Sequence, residues 1–182
     1  MKTTMIEIEI TGIAPLLHNR FPVEEHGINK SSAKKKVYDP VEEANKCLYQ
    51  EPDGTIYQPA EHIFQSMIKS GAGFQYSGKT TYKNIIASGI NITPENIPLN
   101  IKTEYEIDAR PVVIQRARVI KWRPRFNEWS LKFTLEILDA ENISVSTVKD
   151  ILETAGKTKG IGDYRPRFGR FMVSEFKEVN GH

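Results

Sequence analysis

A basic stretch near the carboxyl end, residues 157–170, contains residue types that could bind phosphates. It holds five cations and a single acid. Cations neutralise phosphates, and Tyr164 and Phe168 offer rings on which bases can stack. Gly160 and Gly162 free the backbone to approach a ligand closely. The cations are Lys157, Lys159, Arg165, Arg167 and Arg170. This combination predicts a site for single-stranded nucleic acid rather than a turn with solvated arginines.

A second basic stretch, residues 110–125, contains six cations and no acid. Alternating apolar and polar residues predict two strands, 112–120 and 129–138, that pair as a hairpin. The tip of this hairpin, residues 121–128, would project cations and aromatic rings beyond the sheet. The residues predicted to bind nucleic acid from this stretch are Arg116, Arg118, Lys121, Trp122, Arg123 and Arg125.

The same stretch also has a structural interpretation, which the sequence leaves open. Trp122 and Phe126 are equally suited to be core residues that flank an ordinary turn. Arg116 and Arg118 are two residues apart, so on a strand they share one face. That face points either toward nucleic acid or into water.

The charges of the chain are segregated although its net charge is only +2. Acidic residues gather away from the basic stretches, mainly within residues 24–51 and 104–108. Such asymmetry predicts a basic face directed at a polyanion. The alternative partner is an acidic protein, in which case the chain is an inhibitor or a structural module.

Composition indicates a globular domain in a reducing compartment. Hydrophobic residues make up 39% and charged residues 26% of the 182 residues, as in soluble single domains. No apolar run is long enough for a bilayer or a signal peptide. Cys47 is the one cysteine, and no His, Cys or Asp recurs at a metal-ligand spacing. We therefore expect a cytoplasmic protein without metal, cofactor or membrane partner.

A phosphate-binding motif of another kind occurs at residues 73–80, GFQYSGKT. Lys79 and Thr80 stand where a P-loop places its lysine and its magnesium ligand, and Asp139 is the nearest candidate for a second magnesium ligand. A P-loop follows a buried parallel strand, whereas this motif follows an amphipathic helical pattern. A P-loop nucleotide-binding enzyme is therefore a minor alternative.

The periodicity of the sequence predicts an α+β domain. We expect helices at about 40–49, 59–71 and 144–156. We expect strands at about 6–10, 55–57, 90–92, 112–120, 129–138 and 169–176. Cys47 is expected to be a core residue of the first helix.

The order of these elements indicates one domain covering residues 1–182. Removing loop-rich insertions at about 13–58 and 74–109 leaves strand, helix, strand, strand, helix, strand. This is a ferredoxin-like or RRM-like βαββαβ core, whose antiparallel sheet carries helices on one face and leaves the other open. RRM domains stack bases on aromatic residues of that open face.

Three segments resemble the RAMP superfamily, the RRM-like proteins that build CRISPR effector backbones. The loop GIGDYRPRFGRF, which follows a helix and precedes a strand, is similar to the superfamily's C-terminal glycine-rich signature. IYQPAEHIFQSMIKSGAG resembles its strand, proline and amphipathic helix, and TGIAPLLHNR resembles its first loop. Asp163 and Pro166 depart from the glycine-dense pattern. The chain is also similar to small proteins encoded by phages and prophages.

The resemblance implies binding of single-stranded RNA or DNA along its backbone, by subunits that assemble side by side as a homo-oligomer or filament. It implies that residues 160–170 touch the nucleic acid, with His18 and Arg20 of the first loop beside them. RNA-processing relatives use a histidine as general acid or base. His18, His26 and His62 are therefore candidates for a metal-independent endoribonuclease. We expect binding without catalysis.

Overall fold

The computed structural model describes residues 2–21, 39–114 and 116–179. In chain order the elements are β1 (Thr4–Gly12), β2 (Leu16–Leu17), α1 (Pro40–Lys46), β3 (Tyr57–Pro59), α2 (Ala60–Gly71), β4 (Gln75–Ser77), β5 (Thr80–Thr81), α3 (Tyr82–Gly89), β6 (Ile90–Thr93), β7 (Asn96–Ile101), β8 (Glu106–Ile114), β9 (Ala117–Phe126), β10 (Trp129–Ile137), α4 (Val145–Thr158) and β11 (Phe171–Val179).

The main sheet is antiparallel and has β1 near its centre. β1 pairs with β11 on one side and with β10 on the other. The far edge of β10 pairs with β6 and β7, and β7 pairs in turn with β3. The path β1, α2, β6 and β7, β10, α4, β11 is the ferredoxin-like order. The predicted α+β fold class is confirmed.

One face of this sheet forms the core together with the helices. Ile6, Ile8 and Ile10 alternate with polar residues along β1, and all three are buried. They belong to one apolar cluster with Met67 of α2 and Ile151 of α4. Burial of each such side chain contributes about 1.5–3 kcal/mol. The period-two pattern of β1 thus decides which face the helices cover.

The opposite face of the sheet is polar. The register places Glu9 of β1 opposite Lys132 of β10, and Glu7 opposite Thr134 and then Thr93. Along the described parts of β11, β1, β10 and β6, no aromatic side chain lies on this face. Base stacking on the sheet, as in RRM domains, therefore has no platform here.

The second strand of the core lies within the segment that the sequence assigned to an insertion. Residues 74–109 contain a small hairpin, α3, β6, β7 and the start of β8. The strand expected at 90–92 is confirmed as β6, but the description of this segment as loop-rich is wrong. The first insertion contains β2, α1 and β3, and residues 22–38 lie outside the described residues.

The predicted pairing of residues 112–120 with residues 129–138 is also wrong. β8 pairs with β9, and their turn lies at Arg116, whose φ of 68° is left-handed. Residues 121–126 belong to β9 rather than to a tip, and β10 lies in the main sheet. Arg116 and Arg118 therefore do not share one strand. We call β8 and β9 the ribbon.

The helices begin where the sequence places their caps. The Asp39 carboxylate accepts a hydrogen bond from Val41 N at 2.9 Å, and the Ser144 hydroxyl accepts one from Thr147 N at 3.3 Å. α2 follows Pro59 directly and buries Ile63 and Met67, as its apolar spacing predicts. Among the described helices, none has the length and apolar character needed to cross a bilayer.

The P-loop-like residues 73–80 form a β-hairpin. Gly73 follows α2, and the exposed Lys79 lies in the turn between β4 and β5. Thr80 is a strand residue in β5, and α3 starts only at Tyr82. The backbone here forms a hairpin and does not curve around a phosphate site at a helix N-terminus, as a phosphate-binding loop does.

Candidate nucleic-acid interface

The glycine-rich loop, residues 159–170, is built onto the body of the protein by its own amides. Gly160 N donates to Ala155 O of α4 at 2.9 Å. Asp163 N donates to Leu17 O of β2 at 2.9 Å, and Gly169 N donates to Pro15 O at 2.8 Å. These hydrogen bonds fix both limbs of the loop beside β2.

The glycines of this loop are required by the chain's own packing. Gly162 has a φ of +76°, and a Cβ atom there would lie 2.6 Å from Leu17 O. At Gly169, with a φ of +70°, a Cβ atom would lie 1.7 Å from Ile161 O. Gly160 is buried. The close approach that Gly160 and Gly162 allow is to the loop's own backbone and to β2, not to an external ligand.

The loop's aromatic rings lie against the arginines of the ribbon. The guanidinium of Arg110 is 4.7 Å from the centre of the Phe168 ring, and that of Arg123 is 5.1 Å from the Tyr164 ring. Arg125 approaches Phe168 at 6.0 Å. The two basic stretches of the sequence therefore meet. Phe168 is buried and serves this contact rather than a base, whereas Tyr164 is 39% exposed.

Two carboxylates pair with the three inner arginines, Arg110, Arg123 and Arg125, and offset two of their three charges. Asp108 is buried and accepts hydrogen bonds from Arg110 Nε at 2.6 Å and Nη2 at 2.9 Å. These bonds raise the pKa of the Arg110 guanidinium. Arg125 Nη1 lies 3.9 Å from Asp108 Oδ2. Asp163 is the second carboxylate, and its Oδ2 atom lies 2.6 Å from Arg123 Nε.

Arg123 differs most from its predicted position. It was expected at an exposed tip, but it is 4% exposed because it lies between β9 and the loop. Lys121 and Trp122 are half-buried at the same level of the ribbon, and Phe126 is a core residue. The core interpretation of Phe126 is the correct one.

The outer cations, which lie at the end of α4 and along the glycine-rich loop, are exposed. No carboxylate among the described residues forms an ion pair with them. They are Lys157, Lys159, Arg165, Arg167 and Arg170. Arg116 and Arg118, at the far end of the ribbon, are exposed in the same way. The inner arginines thus have carboxylate partners, whereas the outer cations face solvent.

His18 does not reach the surface. It is fully buried, with its ring 4.8 Å from Phe126 and 5.1 Å from Tyr49. Burial lowers the pKa of His18 from 6.5 to about 3, so the imidazole is neutral at pH 7. The prediction that His18 contacts nucleic acid is wrong, because the first loop packs into the core. Arg20 is half-buried, and its amide donates to Cys47 O at 2.9 Å.

His62 is a residue of this region that the predicted site leaves out. Its Nδ1 atom lies 2.5 Å from Gln58 Nε2. Burial lowers the pKa of His62, and the charge of Arg165 on the glycine-rich loop lowers it further. The sequence shows Gln58 and His62 four residues apart, but it does not show that His18 and Arg165 approach them.

The described residues contain no group of three or more His, Cys, Asp or Glu side chains that could hold a metal ion. Cys47 is buried, and burial raises the pKa of its thiol.

The fold and this surface define a ferredoxin-like domain with a basic loop packed on a basic ribbon. No family model matches the chain, and no curated protein matches it in sequence. Among solved structures it is similar to a chain in the cryo-EM structure of the type III-B Cmr-beta bound to cognate target RNA. The TM-score is 0.61 at 11% identity, over 98% of this chain and 61% of that chain.

At this identity the comparison shows the fold alone. The RAMP-like fold that the sequence resemblance implies is supported by it. The chain spans about 61% of the length of the chain it matches.

Proposed function

We propose that this chain binds single-stranded nucleic acid, RNA in particular, by its phosphates and without catalysis. The observation that carries the proposal is the contrast between the inner arginines and the outer cations. Asp108 and Asp163 form ion pairs with the inner arginines, whereas the outer cations have no carboxylate partner among the described residues. Exposed, unpaired cations on a fixed backbone suit a phosphate chain.

We expect phosphate contacts to supply most of the binding free energy and base stacking to supply the smaller part. Phe168 is already covered by Arg110 and Arg125, which leaves Tyr164 as the exposed ring of the loop. Phosphate contacts carry no sequence information. We therefore expect weak sequence selectivity. Binding of RNA by the Cmr-beta structure favours RNA over DNA as the first ligand to test.

The test replaces Arg165, Arg167 and Arg170 together by alanine. Loss of these contacts should weaken binding of a labelled 20-nucleotide single-stranded RNA by about tenfold or more, and the slope of log K against log salt should flatten by about 0.7 for each lost contact. Fluorescence anisotropy at several salt concentrations measures both quantities.

A matched control removes the same charge elsewhere. Lys69, Lys79 and Lys83 are exposed cations at the end of α2, in the β4–β5 turn and on α3. Their triple alanine variant should keep the affinity and nearly all of the salt slope. Equal losses in both triple variants would show that net charge, not this loop, governs binding. Unchanged affinity and slope in the arginine variant would refute the site.

Assembly of several copies along one strand stays a prediction of the RAMP resemblance. Its support is indirect: the exposed far half of the ribbon extends the cationic surface beyond the domain's own loop, with Arg116 and Arg118 at its end. Sedimentation velocity of the protein on RNA of increasing length tests it.

A further inference from the structure

Four groups beneath the basic surface form a chain of hydrogen bonds. Tyr49 N donates to Nδ1 of His18 at 3.4 Å. Nε2 of His18 lies 3.1 Å from Oε1 of Gln58, and Nε2 of Gln58 lies 2.5 Å from Nδ1 of His62. The chain therefore runs from a backbone amide, through a buried histidine and an amide side chain, to a partly exposed histidine.

The backbone amide of Tyr49 determines which atom donates and which accepts in every later hydrogen bond of this chain. A backbone N–H can only donate, so Nδ1 of His18 must accept. His18 is neutral because it is buried, and its one proton is therefore on Nε2, which donates to Gln58 Oε1. The Gln58 amide nitrogen is then turned to His62 and donates to its Nδ1. The proton of neutral His62 must be on Nε2.

The Nε2–H of His62 is a donor without an acceptor in the described part of the chain. His62 is partly exposed. Nε2 is not one of the buried polar atoms that lack a partner, so it is open to solvent. Arg165 of the glycine-rich loop is close enough for its charge to act on the imidazole. The loop is also joined to this region by the hydrogen bond from Asp163 N to Leu17 O, next to His18 in the chain, so the neutral donor and the cation belong to one region of the surface.

We propose that His62 and Arg165 form an anion subsite, in which the Nε2–H of His62 donates to a phosphate oxygen of the bound strand. This subsite rests on the proposed function and extends it to a residue outside the basic stretches. The same hydrogen-bond direction leaves His62 without a free nitrogen lone pair. The residue is therefore set to hold an anion and not to accept a proton from a ribose hydroxyl.

The groups around His62 keep it neutral at pH 7. Burial and the charge of Arg165 lower the pKa of His62, and Glu61 on α2 opposes them. Tyr49, whose pKa is raised by burial, and the neutral His18 face it from the other side. A neutral donor releases no counterion when it binds phosphate. Its contribution to affinity should therefore be independent of salt.

The first experiment measures the tautomer of His62 without any nucleic acid. Long-range ¹H–¹⁵N spectra of the ¹⁵N-histidine protein at pH 7.5 should show Nδ1 unprotonated and Nε2 protonated. In Gln58→Glu the new carboxylate accepts from both histidines, so Nδ1 of His62 should become protonated. Nε2 unprotonated in the unaltered protein would overturn the proposal.

The second experiment measures binding of the labelled 20-nucleotide RNA. His62→Ala should weaken binding by about tenfold, as expected for the loss of a hydrogen bond to a charged group, with the salt slope unchanged. His62→Gln, which keeps an N–H near the position of Nε2, should bind within about threefold of the unaltered protein. Arg165→Ala should weaken binding and also flatten the slope by about 0.7.

The outcomes separate the two proposals. If the unaltered protein does not bind the RNA, the proposed function fails and the subsite fails with it. If it binds, and His62→Ala binds equally well, the subsite alone is wrong. A flatter salt slope in His62→Ala would also overturn the subsite, because it would show that His62 acts as a cation or that its loss displaces Arg165.

Discussion

The open face of the sheet and the glycine-rich loop are both exposed to solvent, but their chemistry is opposite. The sheet face carries carboxylates such as Glu7 and Glu9 beside Lys132 and Lys177, and it has no aromatic ring in its described strands. The loop carries exposed arginines that have no carboxylate partner among the described residues, and its rings pack on the ribbon. An RRM-like topology therefore does not imply an RRM-like binding face.

Under the proposed function, the same fold has its binding surface on a connection instead of on the sheet. The ferredoxin-like core supplies the anchor points, since β2 and α4 accept the amides of the loop. The binding groups themselves lie on residues that the core does not need. Each of the following tests asks whether the two surfaces really differ in this way.

The largest effect is expected from Gly169→Ala. The new Cβ atom would lie 1.7 Å from Ile161 O at a φ of +70°, so the loop must rearrange. We expect the free energy of unfolding to fall by roughly 3 kcal/mol or more, from backbone strain and overlap together. Urea denaturation measures this change, and RNA binding should be lost in parallel.

Gly78→Ala is the matched control for that variant. Gly78 also has a positive φ, +56°, but no atom lies within 4 Å of the added Cβ position. The left-handed backbone alone should cost about 1 kcal/mol. If the two variants lose similar stability, the glycine-rich loop is not held by the packing described here.

An effect that depends on pH is expected from the buried histidine beneath the basic surface. His18 has a pKa of about 3 in the folded chain and 6.5 as its ordinary value, so below pH 6.5 the unfolded chain binds a proton that the folded chain does not. Stability present above pH 6.5 should be lost as the pH falls toward 3, by roughly 1.4 kcal/mol for each pH unit.

His18→Gln isolates this contribution, because it removes the titrating group and keeps a polar side chain. Urea denaturation between pH 7.5 and 4 should give a shallower loss of stability in the variant than in the unaltered protein. Parallel pH profiles for the two proteins would contradict the burial of a neutral His18. Such a result would also remove the basis for the hydrogen-bond direction inferred for His62.

The smallest effect is expected from the sheet face. Glu7→Gln combined with Glu9→Gln removes two negative charges and the contact of Glu9 with Lys132 at 3.3 Å. Affinity for the labelled RNA should change by less than about twofold at 0.15 M salt, where charges act over about 8 Å. A tenfold change in either direction would place the sheet face in the binding surface.

Much of the core follows from sequence periodicity, but its second strand does not. β1 is marked by its apolar alternation, whereas α2 and α4 are marked by an apolar face that follows a proline or a capping serine. β6 and β7 are short, and two prolines in residues 90–101 favour a loop. The alternation of Ile97, Leu99 and Ile101 is the signal that identifies β7 as a strand.

The candidate site, like the core, could be predicted only in part from the sequence. The composition of residues 157–170 indicates a basic loop, and the structure places its outer cations at the surface. Composition does not indicate that Asp108 and Asp163 pair with the inner arginines, because neither carboxylate stands in the second basic stretch. Nor does it show the turn of the ribbon, because Arg116 adopts a left-handed φ without glycine or proline.

The amides of Ile161, Asp163 and Gly169 are already bonded to carbonyl groups of the protein. A loop held in this way loses little conformational entropy when a ligand arrives. Under the proposed function, the ordering cost of association therefore falls on the flexible nucleic-acid strand. Encounter requires no folding step in the protein, so the rate of association is set by diffusion and by the attraction between opposite charges.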